Sequence, residues 1–304
     1  MPGMDSLPDW NDLRVFLAVA RLGTISLAGE RLGIEHSTVS RRIDRLEAGL
    51  RVVLFDRRRT GYSLTEAGHA LIPHAERMES ALLEAVEESA GLGVRVTGSV
   101  RVGTPEGLGI HLIAPGLAQL HREHPGLHVQ LMPQPQYPSL VTREVEILIT
   151  LDPPEVGRYK VARLTDVDYS IYCSPSYRDS HPPIRQLSDI AEHSFVDYIH
   201  DGSLSGHFRV LEELTPHPRR SFTSTSVLAQ REAAAAGMGL VALSPFVAEL
   251  SDDLVCVFPG KSLVTRTLWI AAPEDLLRIK RIRVVWDFIR QLIEQCPRCF
   301  RRNG

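Results

Sequence analysis

Residues 26–50 read SLAGERLGIEHSTVSRRIDRLEAGL, and this stretch decides the fold of the N-terminal part of the chain. Apolar residues recur at helical spacing on both sides of Gly33, which predicts two helices joined by a tight turn. Ser26 is expected to cap the helix before the turn, and Ser37 or its neighbour to open the helix after it. The buried face of that later helix is predicted to consist of Val39, Ile43 and Leu46. This order of elements is typical of a helix-turn-helix.

Outward from this pair, the sequence predicts a preceding helix and a following hairpin. The preceding helix ends at Gly23 and has an apolar face of Leu13, Phe16, Leu17 and Ala20. Residues 54–64 form two short apolar segments around a basic tip that contains Gly61, a pattern typical of a β-hairpin wing. Residues 37–62 hold seven arginines against three acidic residues, a net +4 in 26 residues of a chain whose total charge is −3. A compact basic face of this kind suits contact with phosphates.

The helix after Gly33 carries a polar face that suits DNA. Hydroxyl side chains and arginines reach base edges and phosphates in a major groove. The residues predicted to do so on this helix are Ser37, Thr38, Ser40, Arg41, Arg42 and Arg45, and those on the wing are Arg57, Arg58 and Arg59. The alternative is the solvated, arginine-rich face of an ordinary surface helix. The neighbouring helices and the basic wing favour DNA contact over that alternative.

A long helix is predicted from Thr65 onward, with Thr65 as its N-cap. Its main apolar stripe alternates steps of four and three through Ala67, Leu71, His74, Met78, Ala81 and Ala85, and a second stripe contains Ala75, Leu82 and Val86. Such spacing indicates a coiled-coil dimer seam. The alternative is that this face packs on its own domain.

The pattern changes beyond a glycine-containing linker at 91–98 to strands and helices in alternation. Strands are predicted at 100–103, 127–132, 146–151, 161–164 and 169–173, with a short helix near Leu140. This alternation predicts an α/β domain with a mainly parallel sheet, and its length favours two linked lobes. A membrane span needs roughly 18 consecutive apolar residues, which no stretch approaches, and the start of the chain lacks signal-peptide features. A cytoplasmic location is therefore expected.

These motifs together resemble the LysR-type transcriptional regulators. The N-terminal residues that carry the resemblance are Leu13-x-x-Phe16, Ser26 with Leu32, Ser40-Arg41-x-Ile43-x-x-Leu46-Glu47, Leu54-Phe55-x-Arg57 and Leu64-Thr65-x-Ala67-Gly68. Over the rest of the chain the resemblance is weaker but continuous, and it runs through residues 100–103, 144–149 and 233–245.

The resemblance implies an α/β effector domain, two-lobed and akin to periplasmic binding proteins, after an all-α winged helix-turn-helix domain and a long linker helix. It places the winged domain at 1–64, the linker helix at 65–94 and the effector domain at 95–304, with lobe one at 95–165 plus 267–304 and lobe two at 166–266. It implies transcriptional regulation by a small-molecule effector bound between the lobes. The implied partners are double-stranded DNA with an inverted-repeat operator, further copies of the chain in dimers and tetramers, and RNA polymerase. No cofactor or metal is implied.

The sequence departs from the family pattern at two places. Many members begin the recognition helix with Ser-Gln-Pro, where this chain has Glu35-His36-Ser37. The resemblance assigns base reading to the position of His36, which therefore joins Ser26 among the predicted DNA-binding residues. In the effector domain, residues 133–136 read Pro-Gln-Pro-Gln where small residues are frequent. They predict a proline-lined cleft that is narrower than that of other family members or that binds an unusual ligand.

Two segments are predicted to meet at the effector cleft, because ligands of such lobes bind at strand C-terminal ends and helix N-termini. The first segment is Thr104, Pro105, Glu106 and Gly107, and the second is Ser224, Thr225 and Ser226. The polar lining is predicted to be completed by Gln134, Gln136, Tyr198 and His200. The alternative is that the hydroxyls only cap their helices. A cleft-facing Glu106 would disfavour simple dicarboxylates and favour an amine, a hydroxylated ligand or a bridging water.

Two other classes of protein fit the sequence less well. The chain has no Gly-x-Ser-x-Gly elbow, no His-Glu-x-x-His and no glycine-rich phosphate loop, so an enzyme is not expected. The four cysteines Cys173, Cys256, Cys296 and Cys299 suggest no disulfide framework. A regulator controlled by oxidation would require Cys173 and Cys256 to be exposed thiolates. A regulator controlled by a protein partner is the remaining alternative.

Overall fold

The structure, a computed structural model, divides into two compact units. It describes residues 8–58, 61–89, 96–133, 139–154, 157–199, 206–296 and 300, with only the backbone described at 58 and 87–89. One unit comprises residues 1–94 with 141–144, and the other comprises 95–140 with 145–304. Among the described helices, none has both the length and the apolar character that crossing a bilayer would need.

The N-terminal unit is a winged helix-turn-helix followed by a long helix. Its elements are α1 (Trp10–Leu22), α2 (Ile25–Leu32), α3 (His36–Leu50), β1 (Phe55–Arg58), β2 (Gly61–Leu64) and α4 (Glu66–Ser89). The two strands pair antiparallel from Phe55 opposite Leu64 to Arg58 opposite Gly61. The predicted apolar faces are confirmed, since Val39, Ile43 and Leu46 of α3 are buried with Leu13, Phe16 and Leu17 of α1 in one core.

The helix boundaries correct one predicted cap. Gly23 ends α1 and Gly33 ends α2, both in the left-handed conformation, as predicted. The N-cap of α2 is Thr24 rather than Ser26, because Ser26 lies inside the helix, whereas Thr24 directly precedes it and its Oγ1 accepts from Leu27 N at 3.3 Å. The N-cap role predicted for Thr65 is confirmed, since its Oγ1 accepts from Gly68 N at 3.1 Å.

Helix α4 divides into a packed half and an exposed half. Ala75 is fully buried in the core of the N-terminal unit, and Ala67 and Leu71 pack against that core. Further along, Met78, Leu82 and Val86 are 48%, 47% and 60% exposed. The alternative that this face packs on its own domain therefore holds for the first half of the helix. The second half leaves an apolar stripe in solvent, where the dimer seam stays a prediction.

The C-terminal unit is an α/β structure built on one sheet. Its strands are β3 (Gly98–Thr104), β4 (Leu127–Pro133), β5 (Ile147–Thr150), β6 (Tyr159–Cys173), β7 (Ser194–Tyr198), β8 (Arg219–Ser224), β9 (Leu240–Leu243), β10 (Val255–Cys256) and β11 (Val264–Pro273). Its α-helices are α5 (Glu106–Leu108), α6 (Ala114–Glu123), α7 (Pro175–Ser180), α8 (Val210–Leu214), α9 (Val227–Ala235), α10 (Pro245–Ala248) and α11 (Lys280–Glu294). The strand order is β4-β3-β5-β11-β6-β9-β7-β8, with β10 paired to β6.

The sheet is mixed, which corrects the prediction that it is mainly parallel. Strands β3, β4 and β5 pair parallel in one half, and β7, β8 and β9 pair parallel in the other. Between them, the long strands β6 and β11 run antiparallel to each other and to β9 and β5, respectively. We call the half built on β3–β5 lobe one and the half built on β7–β9 lobe two.

Strand β6 corrects two predictions at once, because it is a single strand where two were expected. Its polar middle resembles a loop in the sequence, but Thr267 and Thr265 of β11 donate to Asp166 and Asp168 at 3.0 and 2.8 Å. These pairs satisfy the polar side chains inside a continuous strand.

The predicted helix near Leu140 is wrong, since residues 140–143 form turns and Arg143 has a φ of 51°, where a right-handed helix cannot continue.

Lobe two has a core on each face of its sheet. Ile171, Phe195 and Leu240 lie on one face, and Tyr172, Val196 and Val241 lie on the other. Alternate residues of a strand point to opposite faces, so a sheet covered on both sides needs continuous apolar runs. The second of these cores includes residues of α9 and α10, so both helices pack on that face of the sheet.

Candidate nucleic-acid interface and ligand cleft

The outward face of α3 begins at the first residue of the helix. His36, Ser37 and Arg41 are exposed, and Thr38 and Ser40 are half-buried beside them. Glu35 occupies the N-cap position but makes no side-chain hydrogen bond to the helix. The first backbone N–H groups of α3 therefore have no side-chain cap, and such a helix end favours an anion. The predicted residue Ser26 is exposed in the first turn of α2.

One buried carboxylate holds two of the predicted DNA-binding arginines. Asp12 of α1 is only 2% exposed. It accepts from Arg45 Nε and Nη2, both at 2.5 Å, and from Arg42 Nη1 at 3.3 Å. The hydrogen bond to Asp12 raises the pKa of the Arg45 guanidinium. In the structure, Arg42 and Arg45 therefore fix α3 against α1.

Arg41 stands apart from these two arginines. It is exposed on the same helix, and within the described residues no carboxylate pairs with it. A guanidinium without an internal partner keeps its donors for an external phosphate or a guanine edge. Arg41 is therefore the arginine on α3 that the structure leaves most available to DNA.

The wing is tied to α3 through Arg57. Its Nη2 donates to Asp44 at 2.5 Å and to Glu47 at 3.0 Å, and its guanidinium lies 5.7 Å from the centre of the Tyr62 ring. The hydrogen bond to Asp44 is the main cause of the raised pKa of Arg57. Arg57 thus sets the position of the hairpin relative to α3. The side chain of Arg58 and all of Arg59 lie outside the described residues.

A cavity of about 40 Å³ lies between the lobes of the C-terminal unit. Polar side chains on its wall come from Glu106, Tyr169, Asp197, Tyr198, Gln230 and Ser244, and the rings of Phe208 and Phe246 add to its aromatic surface. The wall contains no lysine, arginine or histidine among the described residues. The cavity therefore combines aromatic rings and carboxylates without a basic group.

The structure brings some of the predicted effector-binding residues to this cavity and keeps others away from it. Pro105, Glu106, Gly107 and Tyr198 line it. Thr104 is fully buried at the end of β3, where its hydroxyl contacts Pro105 O at 3.3 Å. Ser224, Thr225 and Ser226 are not on the wall, and Ser226 is the N-cap of α9. Gln134, Gln136 and His200 lie outside the described residues.

Glu106 joins the two lobes at the cavity. It follows β3 in lobe one, and its two oxygens accept from Ser226 Oγ at 3.0 Å and from Val227 N at 2.8 Å, at the start of α9 in lobe two. An acidic group at a helix N-terminus is stabilised by the free N–H groups and the helix dipole. The carboxylate therefore occupies a position in the cleft that favours an anion, the N-terminus of α9.

Three buried polar residues on the wall were not predicted from the sequence. Asp197 is 5% exposed and accepts from Arg220 Nε at 2.9 Å, so its charge is paired. Gln230, 1% exposed, donates to Ser224 O at 3.0 Å, and its Oε1 accepts nothing within the described residues. Ser244, 3% exposed, sits at the N-cap of α10 without capping it. In the sequence, each of the three is marked only by being a polar residue within an apolar run.

The free cysteines do not form an exposed thiolate pair. Cys173 is 1% exposed in β6, and burial raises the pKa of its thiol to about 11. Cys256 is half-buried in β10, with its sulfur 3.4 Å from Ser170 Oγ. Cys296 is disulfide-bonded, which was not predicted from the sequence. The condition set for control by oxidation at Cys173 is therefore not met.

We expect Cys173 to resist alkylation in the folded protein. With a pKa of about 11, roughly one thiol in several thousand is ionised at pH 7.5, and only the thiolate is nucleophilic. Iodoacetamide labelling followed by peptide mass spectrometry should modify Cys173 in urea but leave it unmodified in buffer over the same time. Labelling in buffer at the rate of a cysteine in an unfolded chain would contradict this expectation and would again favour a regulator controlled by oxidation of Cys173.

Both units have relatives of known kind. Residues 94–294 match the family described as LysR substrate binding domain, and residues 10–69 match that described as bacterial regulatory helix-turn-helix protein, lysR family. The transcriptional regulator CrgA of Neisseria meningitidis serogroup B is 28% identical over 244 residues, 78% of this chain and 80% of CrgA. The transcriptional activator TtdR of Escherichia coli K12 is 26% identical over 303 residues, 96% of each chain. Full-length OxyR from Pseudomonas aeruginosa shares the fold with a TM-score of 0.69 at 19% identity, over 97% of this chain and 98% of OxyR.

Proposed function

Since the chain belongs to the LysR family of bacterial transcriptional regulators, we propose that it binds its operator through the outward face of α3 and its effector in the cavity between the lobes. It is a DNA-binding transcriptional regulator with an effector-binding domain. The observation that carries the DNA-binding site is the contrast between Arg41, exposed and unpaired within the described residues, and Arg42 and Arg45, which Asp12 holds.

The start of α3 is the part proposed to enter the major groove. His36, Ser37 and Ser40 share that end of the helix with Arg41, and the two serine side chains are short enough to bring the backbone close to the bases. Arg42, Arg45 and Arg57 act mainly by holding α3 and the wing in place, although phosphates near them would still feel their charge. Arg58 and Arg59 are proposed to contact the backbone from the wing.

We propose that two chains pair through the exposed half of α4. Met78, Leu82 and Val86 lie at spacings of four residues, and each leaves close to half or more of its side chain in solvent. An apolar stripe of this kind on a helix is stabilised by a second copy of the same helix. A dimer also places two copies of α3 on one DNA, as an inverted-repeat operator requires.

The proposed effector site combines Glu106, Gly107 and Tyr198 with Asp197, Gln230 and Ser244 of the cavity wall. Residues of both lobes contribute, so a ligand there changes the contacts that hold the lobes together. Such differential contact is what allows a ligand to shift a conformational equilibrium. Assembly of dimers into tetramers, contact with RNA polymerase and action in the cytoplasm belong to the same proposal and are supported by family membership.

Replacing Arg41 by alanine should weaken operator binding by about tenfold and reduce the salt dependence of binding by about one phosphate contact. The readout is fluorescence anisotropy with a duplex obtained by in vitro selection on the wild-type protein, at several salt concentrations. Arg122→Ala removes another exposed arginine, from α6 of the other unit, and should leave affinity unchanged. Equal affinities and equal salt slopes in wild type and Arg41→Ala would refute the proposed docking of α3.

A further inference from the structure

The proposed effector cleft already contains a carboxylate at a position that favours an anion, the N-terminus of α9. Glu106 accepts from Ser226 Oγ and from Val227 N, the first helical N–H of the nine-residue helix α9. Both donors are therefore engaged by a side chain of the opposite lobe. An effector carboxylate could reach them only after Glu106 had been displaced, and its charge would then lie beside that of the displaced glutamate.

Nearby basic groups do not offset the charge of Glu106. Arg231 is 4% exposed and donates to Asp253 at 2.5 Å and to Glu232 at 2.6 Å, so its charge is already paired. His111 has an Nε2 atom that is buried without a partner among the described residues. Burial, and secondarily Arg231, lowers the pKa of His111, which keeps its ring neutral near pH 7. The cleft therefore stays negative on the side of Glu106.

The rest of the cavity wall suits a positively charged group with an apolar body. The aromatic rings of Tyr169, Tyr198, Phe208 and Phe246 surround it, and aromatic faces attract organic cations. Gln230 offers an acceptor at Oε1, and Ser244 offers a hydroxyl that caps no helix. Burial raises the pKa of Tyr169 to about 12, so its phenol is neutral. In the part of the wall that the structure describes, no arginine, lysine or histidine opposes a cation.

We propose that Glu106 is a built-in occupant of the anion position and that it determines the effector class: the cleft takes a small organic amine and rejects carboxylates. This inference rests on the proposed location of the effector site between the lobes. A cavity of about 40 Å³ has room for roughly three water molecules, at about 10–15 Å³ each. Two-carbon probes therefore fit it without opening the lobes.

The test compares ethylammonium chloride with sodium acetate on full-length protein, by thermal unfolding at constant ionic strength, with sodium chloride as the control salt. For the wild type, ethylammonium at ten times its Kd should raise the Tm by about 2–4 °C above its value in sodium chloride. Acetate should leave the Tm equal to that in sodium chloride. Glu106→Ala empties the anion position, so the preference should reverse: acetate should raise the Tm by a similar amount, and ethylammonium should lose its effect.

Two further variants separate the charge of Glu106 from its mere presence. Glu106→Gln fills the same place without the charge, so it should respond to neither probe. Glu123→Ala removes an exposed glutamate at the end of α6 and should behave as the wild type does. Circular dichroism of each variant checks that it folds.

The inference is overturned if acetate raises the Tm of the wild type by as much as it raises the Tm of Glu106→Ala. It is also overturned if ethylammonium raises the Tm of both proteins equally. Operator binding, measured by anisotropy on the same samples, distinguishes failure of this inference from failure of the proposed function. A wild-type protein that binds DNA but prefers acetate disproves only the effector class. A folded protein that binds no DNA disproves the proposed function itself.

Discussion

Replacing Leu82 and Val86 together by glutamate should convert the proposed dimer into monomers and lower operator affinity by about 100-fold. Both side chains are exposed in the isolated chain, at 47% and 60%, so the substitution costs the fold of the monomer little. In a paired helix the same positions would face their counterparts, and four carboxylates would have to be buried against each other. The loss of affinity follows because each half-site must then be bound independently.

The measurements are light scattering coupled to size-exclusion chromatography for mass, and anisotropy for DNA binding. Arg77→Glu is the matched control, since it changes the net charge by the same two units on the same helix. Arg77 is exposed and lies nine residues from Val86, which is two and a half helical turns, on the opposite side of α4. If the double variant keeps the wild-type mass and affinity, the chains pair through another surface.

Replacing Gly68 by alanine should destabilise the N-terminal unit by about 1–3 kcal/mol. A Cβ at this position would lie 2.3 Å from Leu54 O and 2.8 Å from Leu64 Cδ2, so α4 would have to move away from the hairpin. Because Leu54 precedes β1 and Leu64 ends β2, that movement disturbs the wing as well as the helix. Hydrogen exchange of peptides from α1 and α4, followed by mass spectrometry, reports the stability of this unit within the full-length chain.

Replacing Gly49 by alanine is expected to have the opposite effect on the stability of the same unit. Gly49 is the penultimate residue of α3, and a Cβ added there would meet nothing within 4 Å. Gly49→Ala should therefore stabilise the unit by about 0.5–1 kcal/mol, through helix propensity alone. Slower exchange in Gly49→Ala and faster exchange in Gly68→Ala is the predicted pair of results. Equal effects of both substitutions would mean that the approach of α4 to the hairpin is looser than the structure has it.

The spacing of apolar residues was sufficient to predict the helices and the hairpin of the N-terminal unit, because each is defined by residues close together in the sequence. The face of α3 containing Val39, Ile43 and Leu46 can be read from spacing alone, and so can the stripe on α4. Pairing of charges could not be read in this way. Arg45 carries a sequence signal for DNA contact whether or not a buried acid meets it, and Asp12 is 33 positions away in the sequence. The buried face of α3 was therefore predicted correctly, its contact with DNA stays a prediction, and the number of its arginines without an internal carboxylate partner was overestimated.

The C-terminal unit exposes a second limit of reading from sequence. Asp166 and Asp168 look like loop residues until Thr267 and Thr265 are placed opposite them, and those partners lie about a hundred residues later. In the cleft, Glu106 was predicted to line the site from its position after a strand, and the structure places it on the cavity wall. The two donors to its carboxylate could not be predicted, because they depend on how α9 approaches from the other lobe. The spacing of residues in the sequence does not contain that information. Asp197, Gln230 and Ser244 were missed for the same reason.

The pairing of β6 with β11 also sets the order in which the regulator is made. Tyr159 lies opposite Pro273 and Tyr169 opposite Val264, whereas the hairpin of the N-terminal unit joins Phe55 to Leu64. Local contacts form early, and distant ones must wait for both partners to leave the ribosome. At about 5–20 residues per second, the chain needs roughly 10–40 s to grow from the end of α4 to the end of α11. We expect a nascent chain to complete the unit that holds DNA well before it completes the unit that senses its effector.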